Sequence, residues 1–116
     1  MLKNISVSQY TRSGDPLKID CGYSPNGSIK LFHAVALRSD VNAAKILAFS
    51  FPQLAEGIRK AEGKQALLTA VVEDGLPADE AVNFARLTLE QQEIRIAPVG
   101  AMPGIAREAA RELRIG

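Results

Sequence analysis

Asp20 and His33 have the side chains and the spacing of an acid–base pair. They flank a predicted turn at residues 24–27, whose Asn26-Gly27 dipeptide indicates a two-residue type I′ hairpin loop. Such a loop would pair Asp20 with His33 across the hairpin, with their Cβ atoms about 5 Å apart on one face. A neighbouring carboxylate can orient an imidazole as a general base, and Lys18 alternates onto the same face. A polar pair on an exposed sheet face explains the same pattern, so both interpretations stay open.

A second group of candidates follows two predicted strands, at the end where open α/β sheets usually bind ligands. Glu73 and Asp74 come directly after an apolar run, and Gly100 and Gly104 surround the start of the last predicted helix. Free backbone N–H groups at a helix start can hold an anion. The alternative is structural: a turn with acidic charge near a helix N-terminus, and glycines that serve the turn and helix packing. The functional interpretation is a small-ligand site.

Composition and motifs exclude several classes of protein. The 116 residues hold one Cys, one His and a net charge of +1, and they show no phosphate-binding glycine loop, Cys-x-x-Cys or His-Glu-x-x-His pattern. We therefore predict no resident metal and no cofactor, and we interpret Cys21 as a core residue. A single cysteine favours the reducing cytoplasm. The apolar runs are too short to span a membrane, so no membrane partner is expected.

Hydrophobic periodicity predicts the elements that would position these residues. Alternating patterns at 4–11, 17–23 and 28–37 indicate a three-stranded antiparallel meander. A helical stripe follows, with Ser39 or Asp40 as its cap, Gly63 at its end and Pro52 inside, which indicates one kinked helix or two abutting ones. Residues 66–72 form an unbroken apolar run, as in a strand buried on both faces.

The remaining pattern predicts a helix at 77–92 and a short fifth strand that Pro98 confines to an edge or an end. A last helix is predicted from about Met102, with its apolar face at Met102, Ile105, Ala106, Ala109, Ala110 and Leu113. The order is β-β-β-α-β-α-β-α, an α/β fold with a mixed α+β sheet. Its meander is extended by right-handed crossover units, and its helices pack on the sheet. With no linker or repeat, residues 1–116 are predicted to be a single domain.

This arrangement resembles the restriction-endonuclease-like, PD-(D/E)xK core, which carries an Asp on its second strand and Glu-x-Lys on its third. Asp20, within Leu17-Lys18-Ile19-Asp20-Cys21, matches the Asp position. His33-Ala34-Val35 falls where the family has Glu-x-Lys, so a histidine replaces the glutamate and Val35 replaces the lysine. The segments 26–35 and 66–73 are also similar to uncharacterised bacterial and phage proteins with degenerate versions of this core.

Three alternative functions follow, the first two from the resemblance and the third from the residues at the strand ends. The leading one is a non-catalytic, nuclease-like binding or regulatory module of a bacterial, phage or mobile-element protein, with a protein or nucleic-acid partner. The second is a divergent DNA nuclease that uses Asp20, His33 and Lys18 with Mg²⁺, although one carboxylate gives a hard cation few oxygen ligands. The third is a small-ligand sensor at Glu73 and Gly100. A homodimer through the first strand or the last helix is a further alternative.

Overall fold

The computed structural model of the protein describes residues 1–115, which form a five-stranded mixed sheet and three α-helices. The predicted α/β class is confirmed. The strands are β1 (Leu2–Ser6), β2 (Lys18–Tyr23), β3 (Ser28–Ala34), β4 (Gln65–Val72) and β5 (Arg95–Pro98). The helices are α1 (Val41–Glu62), α2 (Glu80–Glu90) and α3 (Met102–Ile115).

The five strands lie side by side in chain order. The pairs β1–β2 and β2–β3 are antiparallel, as predicted for a meander, whereas β3–β4 and β4–β5 are parallel. Parallel neighbours need a crossover, and α1 and α2 provide the two crossovers. Both of these helices pack against one face of the sheet in the main core, and α3 packs against the opposite face in a smaller cluster.

Helix α1 is continuous through Pro52, so the alternative of two abutting helices is wrong. The Asp40 carboxylate accepts the Ala43 N–H at 3.0 Å and caps the first turn. Gly63 ends the helix in the left-handed conformation that glycine adopts without strain. Between these ends the predicted stripe is buried in the main core, at Ala44, Leu47, Ala48, Phe51, Leu54 and Ile58.

Helix α2 begins three residues later than the sequence pattern predicted. Asp79 accepts the Val82 N–H at 2.8 Å, which fixes the first helical residue at Glu80 and leaves Pro77 outside the helix. The Asp79 cap gives a hydrogen-bond partner to a backbone N–H that has none within the helix. A proline in the first turn only removes one such N–H, so it stabilises the helix start less.

The β2–β3 hairpin keeps the predicted register, although its turn has another conformation. Ser28 N–H points to the Pro25 carbonyl at 3.4 Å, so Asn26 and Gly27 are the two central residues. Asn26 has a φ of 52°, but Gly27 is outside the positive region, and a type I′ turn needs both residues there. The predicted turn type is therefore wrong and the predicted strand pairing is right.

The predicted burial of β4 on both faces is wrong on the α3 side, where Leu67 is exposed and Val71 is half-buried. Ala66, Leu68, Ala70 and Val72 are buried under α1 and α2, but Leu67 on the opposite face is 41% exposed. The cause is α3, whose inner surface is narrower than its sequence stripe suggested. Within the described residues of α3, Ile105 and Ala109 are buried, whereas Ala106, Ala110 and Leu113 face solvent.

Within residues 1–115, no helix has both the length and the apolar character that a membrane crossing requires.

Candidate functional site

The structure brings Asp20 and His33 together, as the hairpin register predicted. Asp20 Oδ2 lies 3.4 Å from His33 Nδ1. The same oxygen accepts the Ala34 N–H at 2.8 Å. The β2–β3 ladder ends at Cys21 and Phe32, and beyond that point the Asp20 carboxylate supplies the acceptor that a backbone carbonyl would otherwise give to Ala34. Asp20 therefore has a structural contact at the open end of the hairpin.

His33 is close to the Asp20 carboxylate without being hydrogen-bonded to it. Its Nδ1 is buried and has no hydrogen-bond partner among residues 1–115. A separation of 3.4 Å is long for a hydrogen bond. A general base must be oriented by such a bond or must reach a proton itself. The arrangement thus brings together the right groups but lacks the hydrogen bond of a working acid–base pair.

Neither Lys18 nor Val35 supplies a charge at the candidate nuclease site. Lys18 is exposed at the start of β2, opposite Ser6, and the described residues include no ion pair or side-chain hydrogen bond between Lys18 and either Asp20 or His33. Val35 is 4% exposed within the main core, and its N–H bonds to the Val71 carbonyl at 2.9 Å. A side chain in that position cannot present a charge to a substrate.

Glu73 holds the connection between β3 and α1. Its Oε1 accepts the Leu37 N–H at 2.9 Å, and its Oε2 accepts the Arg38 N–H at 3.0 Å. Hydrogen bonds from its own backbone N–H and from those of Arg38 and Leu37 hold the pKa of Glu73 below its ordinary value, because they stabilise the charged carboxylate. Glu73 is therefore engaged by the protein itself at the carboxyl end of β4.

Asp74 and Gly100, two of the residues predicted at the strand ends, are in contact. Asp74 Oδ1 accepts the Gly100 N–H at 3.0 Å, and a Cβ on Gly100 would lie 2.9 Å from the same oxygen. The carboxylate occupies the place that an anionic ligand would take at this N–H. Gly104 lies farther along, exposed in the first turn of α3, where a Cβ would meet only Arg107, at 3.7 Å. Glu73, Asp74 and Gly100 thus hold the edge together, and Gly104 stands outside this contact.

The structure also shows a groove that the sequence patterns did not indicate. It lies beside α3 on the sheet face where Leu67 is exposed, and its cavity volume is about 220 Å³. We call it the α3 groove and define it by eight of the residues that line it: Lys30, Phe32, Leu67, Thr69, Glu93, Arg95, Ile105 and Glu108.

The α3 groove has an apolar floor and a charged rim. Phe32 and Ile105 form part of the apolar lining with Leu67, and Thr69, 7% exposed, is the buried polar residue among them. At one end the Lys30 ammonium is neutralised by Glu112, at 2.8 and 3.0 Å from the two carboxylate oxygens. The one sequence feature that could have indicated this groove is Thr69, a polar residue within an apolar run.

Metal binding and thiol catalysis would each need a specific arrangement of side chains in the described part of the chain. Residues 1–115 contain no group of three or more His, Cys, Asp or Glu side chains placed to hold a metal ion. Cys21 is a free, half-buried thiol that packs against the smaller core cluster under α3. Burial raises the pKa of this thiol most, and the nearby Asp20 charge raises it further. Both effects disfavour the reactive thiolate.

Comparison of the chain with protein-family models, with curated proteins and with solved structures finds no match.

Proposed function

We propose that this chain is a non-catalytic binding module built on a degenerate nuclease-like core, of the kind found in bacterial, phage or mobile-element proteins. The observation that carries the proposal is the contact of Asp20. The carboxylate that a nuclease would turn toward a metal accepts the Ala34 N–H at 2.8 Å, and its near neighbour is an imidazole in place of a second carboxylate.

The position of Val35 supports the same proposal. Phosphodiester cleavage needs stabilisation of charge at the phosphorus, by a metal or by a cationic side chain. Where the resembling family has its lysine, this chain has Val35 packed in the main core. A lysine there would have to leave its ammonium in the apolar interior, which costs several kcal/mol. The local fold is thus adapted to packing at the position where catalysis requires charge.

Charge and exposed apolar surface favour a protein as the partner of the module. The net charge is +1, and Lys30, Arg59, Lys60 and Lys64 each lie within 4.0 Å of a carboxylate, so these cations are partly neutralised for phosphate binding. On the outer surface of α1, Phe49 is 74% exposed and Ile46 is 56% exposed. Exposed aromatic side chains are enriched in protein interfaces.

A cleavage assay tests the non-catalytic proposal. Purified wild type, Asp20→Asn and Asp40→Asn are incubated with single- and double-stranded DNA in Mg²⁺ or Mn²⁺. Asp40→Asn is the matched control, because it removes one carboxylate but keeps a side-chain oxygen that can cap α1. We expect all three proteins to give the same background.

The alternative nuclease makes a distinct prediction in this assay. Metal-dependent cleavage by wild type and by Asp40→Asn, lost in a folded Asp20→Asn variant, would refute the proposal and establish Asp20 as a metal ligand. Circular dichroism of the three proteins shows whether each one is folded.

A further inference from the structure

We propose that the α3 groove binds a free α-amino acid with an apolar side chain. The observation that carries this inference is a set of charges of both signs around one small apolar cavity. Arg95, Glu93 and Glu108 all line the groove. None of the three forms an ion pair or a side-chain hydrogen bond with another residue of the described chain, whereas Lys30 at the same groove is paired with Glu112.

The strand register explains how these charges come to surround the cavity. Lys30 lies beside Leu67 across β3 and β4, and Thr69 lies beside Arg95 across β4 and β5. Side chains two residues apart on a strand share a face, so Leu67 and Thr69 form the floor. Arg95 then stands on the β5 side, and Ile105 and Glu108 of α3 form the opposite wall.

The size of the cavity limits its occupant to a small molecule. At about 220 Å³ it is smaller than the roughly 300–1,000 Å³ of pockets for drug-sized ligands. The floor between Phe32, Leu67 and Ile105 suits a branched aliphatic or aromatic side chain. The Thr69 hydroxyl offers one donor and acceptor beside it.

The rim charges match the two charged groups of an α-amino acid. A guanidinium binds a carboxylate through two parallel hydrogen bonds, which suits Arg95. An ammonium group donates three hydrogen bonds, which the carboxylates of Glu93 and Glu108 can accept. With one unpaired cation against two carboxylates, a simple anion would meet net repulsion. A zwitterion satisfies both signs at once.

Glu93 adds a further observation at this rim. It has a φ of 59°, in the left-handed region, and lies in the turn that follows α2. Glycine adopts that conformation without strain, and a residue with a Cβ does so less readily. The glutamate therefore places a carboxylate at the groove in a position where local conformation alone would favour glycine.

The test is a titration of the ¹⁵N-labelled protein followed by amide chemical shifts. The probes are L-leucine and L-phenylalanine, with N-acetyl-L-leucine, which lacks the ammonium, and L-leucinamide, which lacks the carboxylate. We expect saturable shifts at Leu67, Thr69 and Arg95 for the amino acids, with a Kd on the order of 1 mM or tighter. Each analogue should bind about ten-fold more weakly, because one charge-assisted contact is lost.

Variants identify the side chains responsible. Arg95→Gln and Glu108→Gln should each weaken L-leucine binding about ten-fold, whereas Arg111→Gln, on the exposed surface of α3, should leave it unchanged. The amide spectrum of each variant also reports whether it is folded.

Three results would overturn the inference: no saturable shifts with either amino acid, binding of both analogues as tight as that of L-leucine, or binding of L-leucine by Arg95→Gln and Glu108→Gln as tight as by wild type. These outcomes are distinct from a failure of the non-catalytic proposal, because cleavage is measured with Asp20 variants and ligand binding with groove variants.

Discussion

Gly57→Ala should destabilise the protein, although the same change in the middle of an ordinary helix is favourable. Alanine exceeds glycine in helix propensity by about 1 kcal/mol. In α1, however, a Cβ at residue 57 would lie 2.0 Å from the Tyr10 carbonyl oxygen and 2.8 Å from its carbon. Since unstrained carbon–oxygen contacts begin near 3.3 Å, the segment at Tyr10 would have to move by about 1.3 Å.

That segment is held firmly against such a movement. The N–H groups of Tyr10 and Thr11 both bond to the Val7 carbonyl, at 2.9 and 3.0 Å, and Val7 is fully buried. The Tyr10 hydroxyl donates to Glu62, and burial, with this hydrogen bond, raises the pKa of Tyr10 to about 12. Overpacking costs roughly 1–3 kcal/mol. The upper end of that range, less the gain of about 1 kcal/mol in helix propensity, predicts a net loss of about 2 kcal/mol in the free energy of unfolding.

Urea unfolding followed by circular dichroism at 222 nm measures this loss as a lower midpoint with an unchanged slope. Gly104→Ala is the matched control, since its Cβ would meet its nearest neighbour at 3.7 Å. The control should be neutral or more stable by up to about 1 kcal/mol. A Gly57→Ala variant as stable as wild type would refute the close contact between the Tyr10 backbone and α1.

Two further predictions concern the core and the acid response. Phe51→Ala should lower the free energy of unfolding by about 3–5 kcal/mol, because Phe51 is 8% exposed in the main core; a loss below about 1 kcal/mol in urea unfolding would contradict this packing. Glu73 has a lowered pKa in the folded state, so its stabilising contribution is present above its ordinary value of 4.5 and is lost as the pH falls through the folded value. Glu73→Gln should therefore destabilise the protein more at pH 7 than at pH 3, and equal losses at both pH values would refute the assignment.

The element order was predictable because each element carries its own local signal. The period of apolar residues changes from two to about four near residue 40, and Asp40 and Gly63 mark the ends of α1 by side-chain and conformational preference. The start of α2 was misplaced since Pro77 and Asp79 both favour a helix start, and only the capping contact with Val82 distinguishes them. The competition between two local signals is thus decided by which residue makes the capping contact, and the sequence pattern does not show this.

The candidate sites show the opposite limit. The Asp20–His33 contact followed from counting residues around a hairpin, which is local information. The other contacts join distant segments of the chain. Glu73 binds the Arg38 N–H, 35 residues away, and Asp74 binds the Gly100 N–H, 26 residues away. The α3 groove depends on how much of the sheet one helix covers. Sequence periodicity gives the apolar side of α3, but it does not give the width of the sheet beneath it.

The position of α3 at the end of the element order has a consequence for synthesis on the ribosome. The sheet face that carries Tyr23 and Phe32 is complete once β5 has emerged, yet its cover arrives only with Ile105 and Ala109. Glu112, which binds Lys30 and the Tyr23 hydroxyl, is made 89 residues after that tyrosine. During translation these aromatic side chains therefore stay open to other nascent chains and to chaperones until the last helix docks.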